Sequence, residues 1–322
     1  MKKFLYICFS FFSIVFGICW AIQNRLDNVG REHSSQMNFV QQANIDADLL
    51  VFGNSRAQCS YNTQIMDSIL GLKCCNLGLS GYPFAYQYKF MIEPYLKKNK
   101  KPSIIIQEVT THAFLHHWNS QFSYNFLPFV GYADEYEYYV NSCDEVTEYD
   151  KYLPFKYRGI RYDKLIELYK DWSIHTPRVY NDGYTPLSDT MRYVNDFLTD
   201  FYPLEQDTDM VNMLSSFIHY CDNNDIDLFL VISPMHMEHY YKYCDMQGFY
   251  SLIDSLRDGT NAKFLNYCSM FGSDTIMLKN ATHMSYTGSC IFSKKVSNDI
   301  KSLLFDSVPH IIRSMILSGH RA

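Results

Sequence analysis

Residues 49–61, LLVFGNSRAQCSY, decide the fold, because an unbroken apolar run here leads directly into a short polar turn. Consecutive apolar residues bounded by such a turn are typical of a strand that is buried on both faces. Gly53, Asn54, Ser55 and Arg56 follow at the point where a chain would pass from a strand into a helix. The stretch predicts a first core strand at 48–52, with a serine and an arginine at its carboxyl end.

The same alternation of apolar runs and helical patterns continues along the chain. Strands that alternate with helices indicate βαβ units and a parallel sheet. We therefore predict an α/β fold with a doubly wound, flavodoxin-like, mostly parallel sheet. The further strands are expected at 72–81, 103–107, 227–234 and 262–269, and the helices at 62–71, 85–98, 209–226, 249–259 and 288–305.

The N-terminus carries a candidate membrane helix. Lys2 and Lys3 precede an uncharged stretch at 4–22, which is long enough to cross a bilayer as a helix. The two lysines favour a cytoplasmic start. An uncleaved signal-anchor is favoured over a cleaved signal peptide, because no small-x-small cleavage site follows the apolar stretch. We predict a single-pass protein of the cell membrane whose main domain is extracytoplasmic.

The domain organisation follows from shifts in composition. We assign residues 1–23 to the transmembrane signal-anchor, 24–46 to a polar linker and 47–305 to the α/β domain. Residues 306–322 form a C-terminal tail that packs either on the domain or on the membrane surface. Residues 112–185 are rich in Tyr, Phe, His and Asp without a clean period, which indicates an insertion in the α/β domain. Its aromatic side chains form either a satellite core or a sugar-binding groove.

Charge and cysteine content argue against several kinds of partner. The net charge is −6 and no block of Lys or Arg stands out, so we predict that the protein does not bind nucleic acid. None of the ten cysteines forms a C-x-x-C pair. His112 and His116 are four residues apart but have no neighbouring carboxylate or thiolate. We therefore predict no metal site and no other cofactor.

A candidate nucleophile and a candidate base stand at opposite ends of the predicted domain. Ser55 would lie at the carboxyl end of a strand, where doubly wound sheets place their ligand sites. A serine hydroxyl attacks only when a neighbouring group takes its proton. His283 stands in a polar loop before the last helix, and loops at this edge of the sheet converge, so the two residues are expected to meet. Taken alone, Ser55 also fits a helix N-cap.

Three motifs in this order resemble a known superfamily. GNS at 53–55, NLG at 76–78 and a histidine in a C-terminal loop resemble the SGNH (GDSL-like) hydrolases. A membrane helix followed by VFGNSRA is similar to the membrane-anchored branch of that superfamily. Members of that branch are tied to O-acylation of cell-envelope polysaccharides, often beside a multi-spanning membrane acyltransferase. The resemblance covers about 48–110 and 226–303, and it leaves the insertion out.

The resemblance implies a role for each matching residue. Ser55 would be the nucleophile that accepts the acyl group, and His283 would be its general base. The backbone N–H groups of Ser55 and Gly78 would form an oxyanion hole. A glycine is expected there because the substrate carbonyl approaches its backbone closely. Asn76, in the same motif, is assigned to the substrate site.

Two positions depart from the pattern of the superfamily. The acidic partner of the histidine lies three residues before it, and here that residue is Asn280. An asparagine still accepts a hydrogen bond from the imidazole, although it lacks the charge that stabilises imidazolium. Asp274 is a candidate substitute. The third oxyanion donor, an asparagine in a G-x-N-D turn, has no counterpart in IIQEVTTHAF, where Gln107, Thr110 or Thr111 would replace it.

Two further residues are candidate substrate contacts. Arg56 follows the proposed nucleophile, where its guanidinium would either hold an anionic group of the substrate or form an ion pair within the loop. His236 follows the strand that ends at 233–234, and that strand end should face the same cleft. It would either contact the substrate or lie on a helix surface.

Two functions are consistent with these features. The first is a membrane-anchored acyltransferase or esterase that acts by a Ser–His mechanism on ester-linked acyl groups of an envelope polysaccharide. The second is a catalytically degenerate binding or scaffold module that assists a membrane O-acyltransferase. The expected partners are an envelope glycan or acyl donor, a multi-spanning membrane O-acyltransferase, and the membrane itself through the N-terminal helix.

Overall fold

The computed structural model divides into two compact units. One contains residues 1–45, 88–100 and 116–179, and the other contains 46–87, 101–115 and 180–322; we call them the N-terminal unit and the sheet unit. Much of the predicted insertion, His116, His117 and most of the C-terminal tail lie outside the described residues. The described residues are 1–33, 35–42, 45–114, 126–132, 156–157, 161–174, 183–187, 204, 207–238 and 245–307.

The sheet unit contains a five-stranded parallel sheet. Its strands lie in the order β2-β1-β3-β4-β5, and every neighbouring pair is parallel. This is the flavodoxin-like order of doubly wound sheets, so the predicted fold class is confirmed. Each strand overlaps its predicted range. The strands are β1 (Leu49–Phe52), β2 (Cys74–Asn76), β3 (Ile104–Glu108), β4 (Asp227–Ile232) and β5 (Lys263–Asn266).

Helices follow most of the strands, and several begin at a side-chain cap. Asn62, Asp207 and Asp245 each accept a backbone N–H of the first turn that follows them. The α-helices among the described residues are α1 (Lys2–His33), α2 (Ser35–Gln41), α3 (Ser55–Ser60), α4 (Thr63–Leu70), α5 (Phe84–Gln87), α6 (Glu93–Lys98), α7 (Tyr162–Ile174), α8 (Thr208–Asn223), α9 (Met246–Arg257) and α10 (Tyr286–Ser307). A π-helical turn at Tyr88–Ile92 joins α5 to α6.

The sheet is covered on both faces, which explains why its strands read as unbroken apolar runs. On one face, alternate residues of β1, β3 and β4 pack with α3, α4 and α10 in a single buried cluster. Helices α8 and α9 pack against β4 and β5. All four residues of β1 are fully buried. The cluster includes Leu49, Val51, Ile104, Ile106, Phe229, Val231, Tyr61, Met66, Phe292 and Val296.

The N-terminal unit corrects the prediction of a polar linker at 24–46. Helix α1 continues through this range to His33, and α2 follows it. Leu26 and Val29 are buried, and Asp27 forms an ion pair with Lys156 in which the Oδ2–Nζ distance is 2.8 Å. Residues 24–33 and 35–41 therefore pack inside the N-terminal unit as helix, because one helix face is apolar.

Helix α1 is long and apolar enough to cross a membrane, judged by its length and composition. Large apolar side chains on its N-terminal part, including Phe4, Phe9 and Phe12, are exposed. A signal sequence near the N-terminus meets the same criteria of length and composition. Within the described part of the chain, no other helix meets these criteria.

Candidate active site

Ser55 and His283 meet at the carboxyl edge of the sheet. Ser55 is the first residue of α3, three residues after the end of β1, and His283 lies in the loop between β5 and α10. The Nε2 atom of His283 lies 2.8 Å from the Oγ atom of Ser55, which is hydrogen-bond distance. The helix cap at this turn is Asn54, whose Oδ1 accepts the N–H of Arg56. The hydroxyl of Ser55 is therefore not engaged as an N-cap.

Asn280 sets the tautomer of His283. Its Oδ1 accepts the backbone N–H of Thr282 at 3.0 Å and that of His283 at 2.9 Å, which identifies this atom as the amide oxygen. The Nδ1 atom of His283 lies 3.0 Å from the same oxygen. Because an amide oxygen only accepts, Nδ1 carries the proton in this hydrogen bond. Nε2 is then unprotonated, and it accepts the hydroxyl hydrogen of Ser55.

The surroundings of His283 keep its imidazole neutral. Burial, and to a smaller extent the positive charge of Arg56, lowers the pKa of His283 from 6.5 to about 4. Asn280 carries no negative charge that would raise it again. At neutral pH the imidazole is therefore unprotonated and able to accept a proton.

Arg56 forms a buried ion pair. The residue is only 4% exposed, and its Nε lies 3.2 Å from Oε1 of Glu108 and 3.1 Å from Oγ of Ser233. Its Nη2 donates to the hydroxyl and to the carbonyl oxygen of Ser233. Of the two roles that the sequence left open, the structure shows the ion pair. The alternative, a contact with an anionic substrate group, is not supported, because the guanidinium is buried and bound to these residues.

Glu108 is a residue of the site that sequence reasoning missed. It ends β3, is 2% exposed, and accepts the hydroxyl of Ser233 on Oε1 at 2.6 Å and that of Tyr61 on Oε2 at 2.6 Å. Burial raises the pKa of Glu108, whereas the adjacent Arg56 acts in the opposite direction. We call Arg56, Glu108, Ser233 and Tyr61 the Arg56–Glu108 network. A charged residue that ends the apolar run IIIQE was the signal available in the sequence.

Asn76 and Gly78 support the fold in this structure. Asn76 is fully buried, and its Nδ2 donates to the carbonyl oxygens of Ala57 at 2.8 Å and Tyr61 at 3.2 Å. Its Oδ1 accepts the N–H of Gly78 at 3.0 Å, so the group predicted as an oxyanion donor is already bound. A Cβ on Gly78 would lie 2.5 Å from the backbone nitrogen of Gln58. The close approach of α3, not that of a substrate, therefore requires the glycine.

The candidate hydrogen-bond donors near the hydroxyl of Ser55 are its own N–H and side chains at the end of β3. Ser55 begins α3, so its N–H has no acceptor within the helix. Thr110 lies two residues after β3, and its Oγ1 is 3.4 Å from Nδ2 of Asn54. The Nε2 of Gln107 donates instead to Oε1 of Gln87 at 3.1 Å and to the carbonyl oxygen of its own neighbour, Glu108. Thr110 and Thr111 thus stay candidates for the additional oxyanion donor, and Thr110 is the one in contact with Asn54.

His236 and Asp274 differ from their predicted surroundings. His236 is buried rather than placed on a helix surface. Its backbone N–H donates to the carbonyl oxygen of Ala281 at 2.9 Å. This bond ties it to the loop that carries His283, and its contact with substrate stays a prediction. Asp274 is exposed and accepts two backbone N–H groups of its own turn. It does not replace the acidic partner, because Asn280 holds the imidazole.

Among the residues that the structure describes, cysteines and metal-ligating side chains form no further functional cluster. Its eight cysteines are free thiols. Over these same residues, no group of three or more His, Cys, Asp or Glu side chains is arranged to hold a metal ion. Cys143 and Cys244 lie outside the described ranges.

Comparisons with known proteins find similarity at the level of structure. No protein-family model matches the sequence, and no curated protein matches it. A solved structure from Streptococcus pneumoniae, provisionally named a platelet activating factor, is 10% identical, with a TM-score of 0.42 over 91% of this chain and 98% of that chain. One from Bacteroides fragilis, provisionally named an acylhydrolase, is 12% identical, with a TM-score of 0.38 over 84% of this chain and 95% of that chain. At such identities and TM-scores these likenesses carry no argument about function.

Proposed function

We propose that this protein is an SGNH-like serine esterase or acyltransferase in which Ser55 is the nucleophile and His283 the general base. The observation that carries the proposal is the 2.8 Å contact between Nε2 of His283 and Oγ of Ser55. The hydrogen bond between Nδ1 and Asn280 supports it, because it leaves Nε2 free to accept a proton. The place of Ser55 at the carboxyl edge of a doubly wound sheet also supports it.

The proposed reaction follows from these positions. Ser55 Oγ attacks the carbonyl carbon of an acyl ester while Nε2 of His283 takes the hydroxyl proton. The N–H of Ser55 and the side chain at Thr110 donate to the oxygen on which negative charge develops. His283 then gives its proton to the departing alcohol, and the acyl group stays on Ser55 as an ester. Water or a sugar hydroxyl, deprotonated in turn by His283, releases the acyl group and restores the free serine.

We further infer that the reaction takes place at a membrane, on an acyl group of an envelope glycan outside the cytoplasm. The support is the apolar stretch at 4–22 and the similarity of VFGNSRA to the membrane-anchored branch of the superfamily. A multi-spanning O-acyltransferase is the expected protein partner, since a single-pass enzyme has no channel of its own for an acyl group from the cytoplasm.

A second candidate function is a scaffold that retains the fold without catalysis. Two observations favour it: the histidine is paired with Asn280 instead of a carboxylate, and the N–H of Gly78 is bound to Asn76. Such a module would bind the glycan or the membrane acyltransferase and present one to the other.

Labelling with a serine-reactive fluorophosphonate separates these candidates. We expect the native chain to be labelled, Ser55→Ala to lose the label, and Ser216→Ala to keep it. Ser216 is a matched control because it is exposed on the surface of α8 and bonds only within that helix. Labelling that persists in Ser55→Ala would remove the proposed nucleophile. A native chain that resists the reagent while folded would favour the scaffold.

A further inference from the structure

The N-terminal unit contains a groove between α1 and α7 that the proposed chemistry does not use. The cavity has a volume of about 610 Å³, which is within the range of small-molecule sites. Its wall is almost entirely apolar, and it is formed by Ile22 and Leu26 from α1 and by Leu165, Ile166 and Tyr169 from α7. Ile166 is exposed, so the groove is open to its surroundings.

Two cations border this apolar wall. Arg25 and Lys170 both line the groove, one from each helix. Both side chains are exposed, and neither has an ion-pair partner among the described residues. An apolar wall with two unpaired cations is complementary to a ligand that has a hydrocarbon chain and an anionic head.

The groove lies where α1 leaves the apolar stretch and enters the N-terminal unit. The exposed apolar side chains end at Ile22, and the first buried residue of the helix is Leu26, about 6 Å further along its axis. The ion pair between Asp27 and Lys156 and the hydrogen bond from Tyr157 to Asp27 at 2.6 Å fix this part of the helix. The groove is therefore continuous with the apolar surface of α1 and has a fixed position at its end.

We propose that the groove binds one acyl chain of an anionic phospholipid from the surrounding bilayer, with the phosphate between Arg25 and Lys170. The inference rests on the membrane anchoring included in the proposed function. If residues 4–22 span the bilayer, the groove lies at the boundary between hydrocarbon and headgroups. Tyr169, Arg25 and Lys170 are residue types that favour this boundary. The bound lipid would hold α7 against α1 and thereby fix the N-terminal unit at the membrane surface.

The experiment is native mass spectrometry of the full chain in detergent, carried out on Ser55→Ala so that catalysis plays no part. Phosphatidylglycerol and phosphatidylcholine with identical acyl chains are titrated separately. We expect phosphatidylglycerol to bind about thirtyfold more tightly, as two basic contacts near a phosphate predict. The double variant Arg25→Gln/Lys170→Gln should bind both lipids equally. The double variant Lys73→Gln/Lys294→Gln removes the same charge from exposed positions outside the groove and should keep the preference.

A second variant tests the apolar wall separately. Leu165→Trp fills the groove without changing charge, and it should weaken the binding of both lipids at least tenfold, a change beyond the range of a surface substitution. Equal affinity for the two lipids in the parent chain would overturn the proposal. So would a preference that survives Arg25→Gln/Lys170→Gln, or binding that Leu165→Trp leaves unchanged. Failure of the membrane anchoring appears instead as release of the full chain by alkaline carbonate, and failure of the proposed catalysis appears in the fluorophosphonate experiment; neither result depends on Arg25, Lys170 or Leu165.

Discussion

At the scale of single residues, the site differs from a Ser–His–Asp triad mainly at Asn280, which stands where the carboxylate would be. The amide oxygen holds the imidazole through Nδ1 and two backbone N–H groups, so orientation and tautomer are secured. What the amide lacks is charge, and His283 lies in a buried site near Arg56 with a pKa lowered to about 4. In the proposed reaction, attack by Ser55 is then limited by the free-energy cost of forming imidazolium. The position of Asn280 next to the imidazole was predictable from the sequence, and its hydrogen bond to Nδ1 is present, whereas the low pKa of His283 depends on packing that no local motif encodes.

Restoring the charge should therefore increase activity. In Asn280→Asp the carboxylate keeps the acceptor role toward Thr282 and His283 and adds the negative charge that stabilises imidazolium. We expect kcat/KM for an activated acetate ester at neutral pH to rise about tenfold or more, since neutralising such a carboxylate elsewhere costs up to ~10⁴ in rate. Asn280→Ala, which loses both orientation and acceptor, should lower it. A folded Asn280→Asp chain with reduced activity would contradict this role.

The pH dependence of the reaction should reflect the lowered pKa of His283. A protonated imidazole cannot accept the serine proton, so the acid limb of kcat/KM should lie near pH 4 rather than near 6.5. Replacing the charged pair together, in Arg56→Met/Glu108→Leu, removes the nearby cation and should move the limb to higher pH. The measurement is a pH–rate profile for both chains. An acid limb near 6.5 in the native chain would mean that His283 is not in the surroundings described.

Unfolding has to be followed in the same pH range. The folded pKa of His283 lies below that of an unfolded histidine, so the unfolded chain binds more protons between about pH 6.5 and 4. The contribution of neutral His283 to the free energy of unfolding is complete above pH 6.5 and is lost as the pH falls toward 4. Circular dichroism at each pH therefore separates protonation of the folded site from loss of the fold.

At the scale of elements, the site is assembled from strand ends that the Arg56–Glu108 network ties together. Arg56 belongs to α3, Glu108 ends β3, and Ser233 follows β4, so a single buried cluster links three neighbouring βα connections. The strands were predictable because burial on both faces produces unbroken apolar runs. The network was not, because Arg56 and Ser233 are 177 positions apart and only the sheet order brings them together.

Breaking this network on one side should destabilise the protein strongly. Glu108→Leu leaves the Arg56 cation buried without its partner, and we expect the free energy of unfolding to fall by about 3–5 kcal/mol. Arg56→Met/Glu108→Leu removes both charges and should recover most of that loss. Denaturant unfolding of the parent, Arg56→Met, Glu108→Leu and the double variant gives the coupling energy between the two residues.

The exposed pair of Arg257 and Asp254 is the matched control. Its Nη2–Oδ1 distance is 2.7 Å, but both side chains are solvent-exposed, so Asp254→Ala should change stability by no more than about 1 kcal/mol. A Glu108→Leu chain as stable as the parent would show that the ion pair does not hold the strand ends together.

At the scale of the whole molecule, sequence patterns predicted the order of strands and helices but not the packing of polar segments. The meeting of Ser55 and His283 was predictable, because parallel strands place their carboxyl ends at one edge. The polar range 24–46 was interpreted as a linker, although Leu26 and Val29, and then Met37 and Val40, recur at helical spacing and are buried. Conversely, the resemblance implied an oxyanion role for Gly78, because the sequence around it does not show that α3 packs against it.

The membrane prediction belongs to this scale as well. The full chain should sediment with membranes and stay there after alkaline carbonate extraction, because 4–22 would cross the bilayer. A chain that lacks 4–22 should be released by the same treatment. Mass spectrometry of the mature N-terminus provides the decisive comparison. A product cleaved after the apolar stretch and recovered in the soluble fraction would contradict the signal-anchor.

The most direct measurement is to locate the acyl group after reaction with an activated acetate ester. Rapid quenching followed by peptide mass spectrometry should find the acetyl group on Ser55 in the native chain. In His283→Ala, whose serine has lost its base, the same peptide should be acetylated at least ~10²-fold more slowly. Acetylation at another residue, or an equal rate in His283→Ala, would contradict the claim that these two residues form the reacting pair.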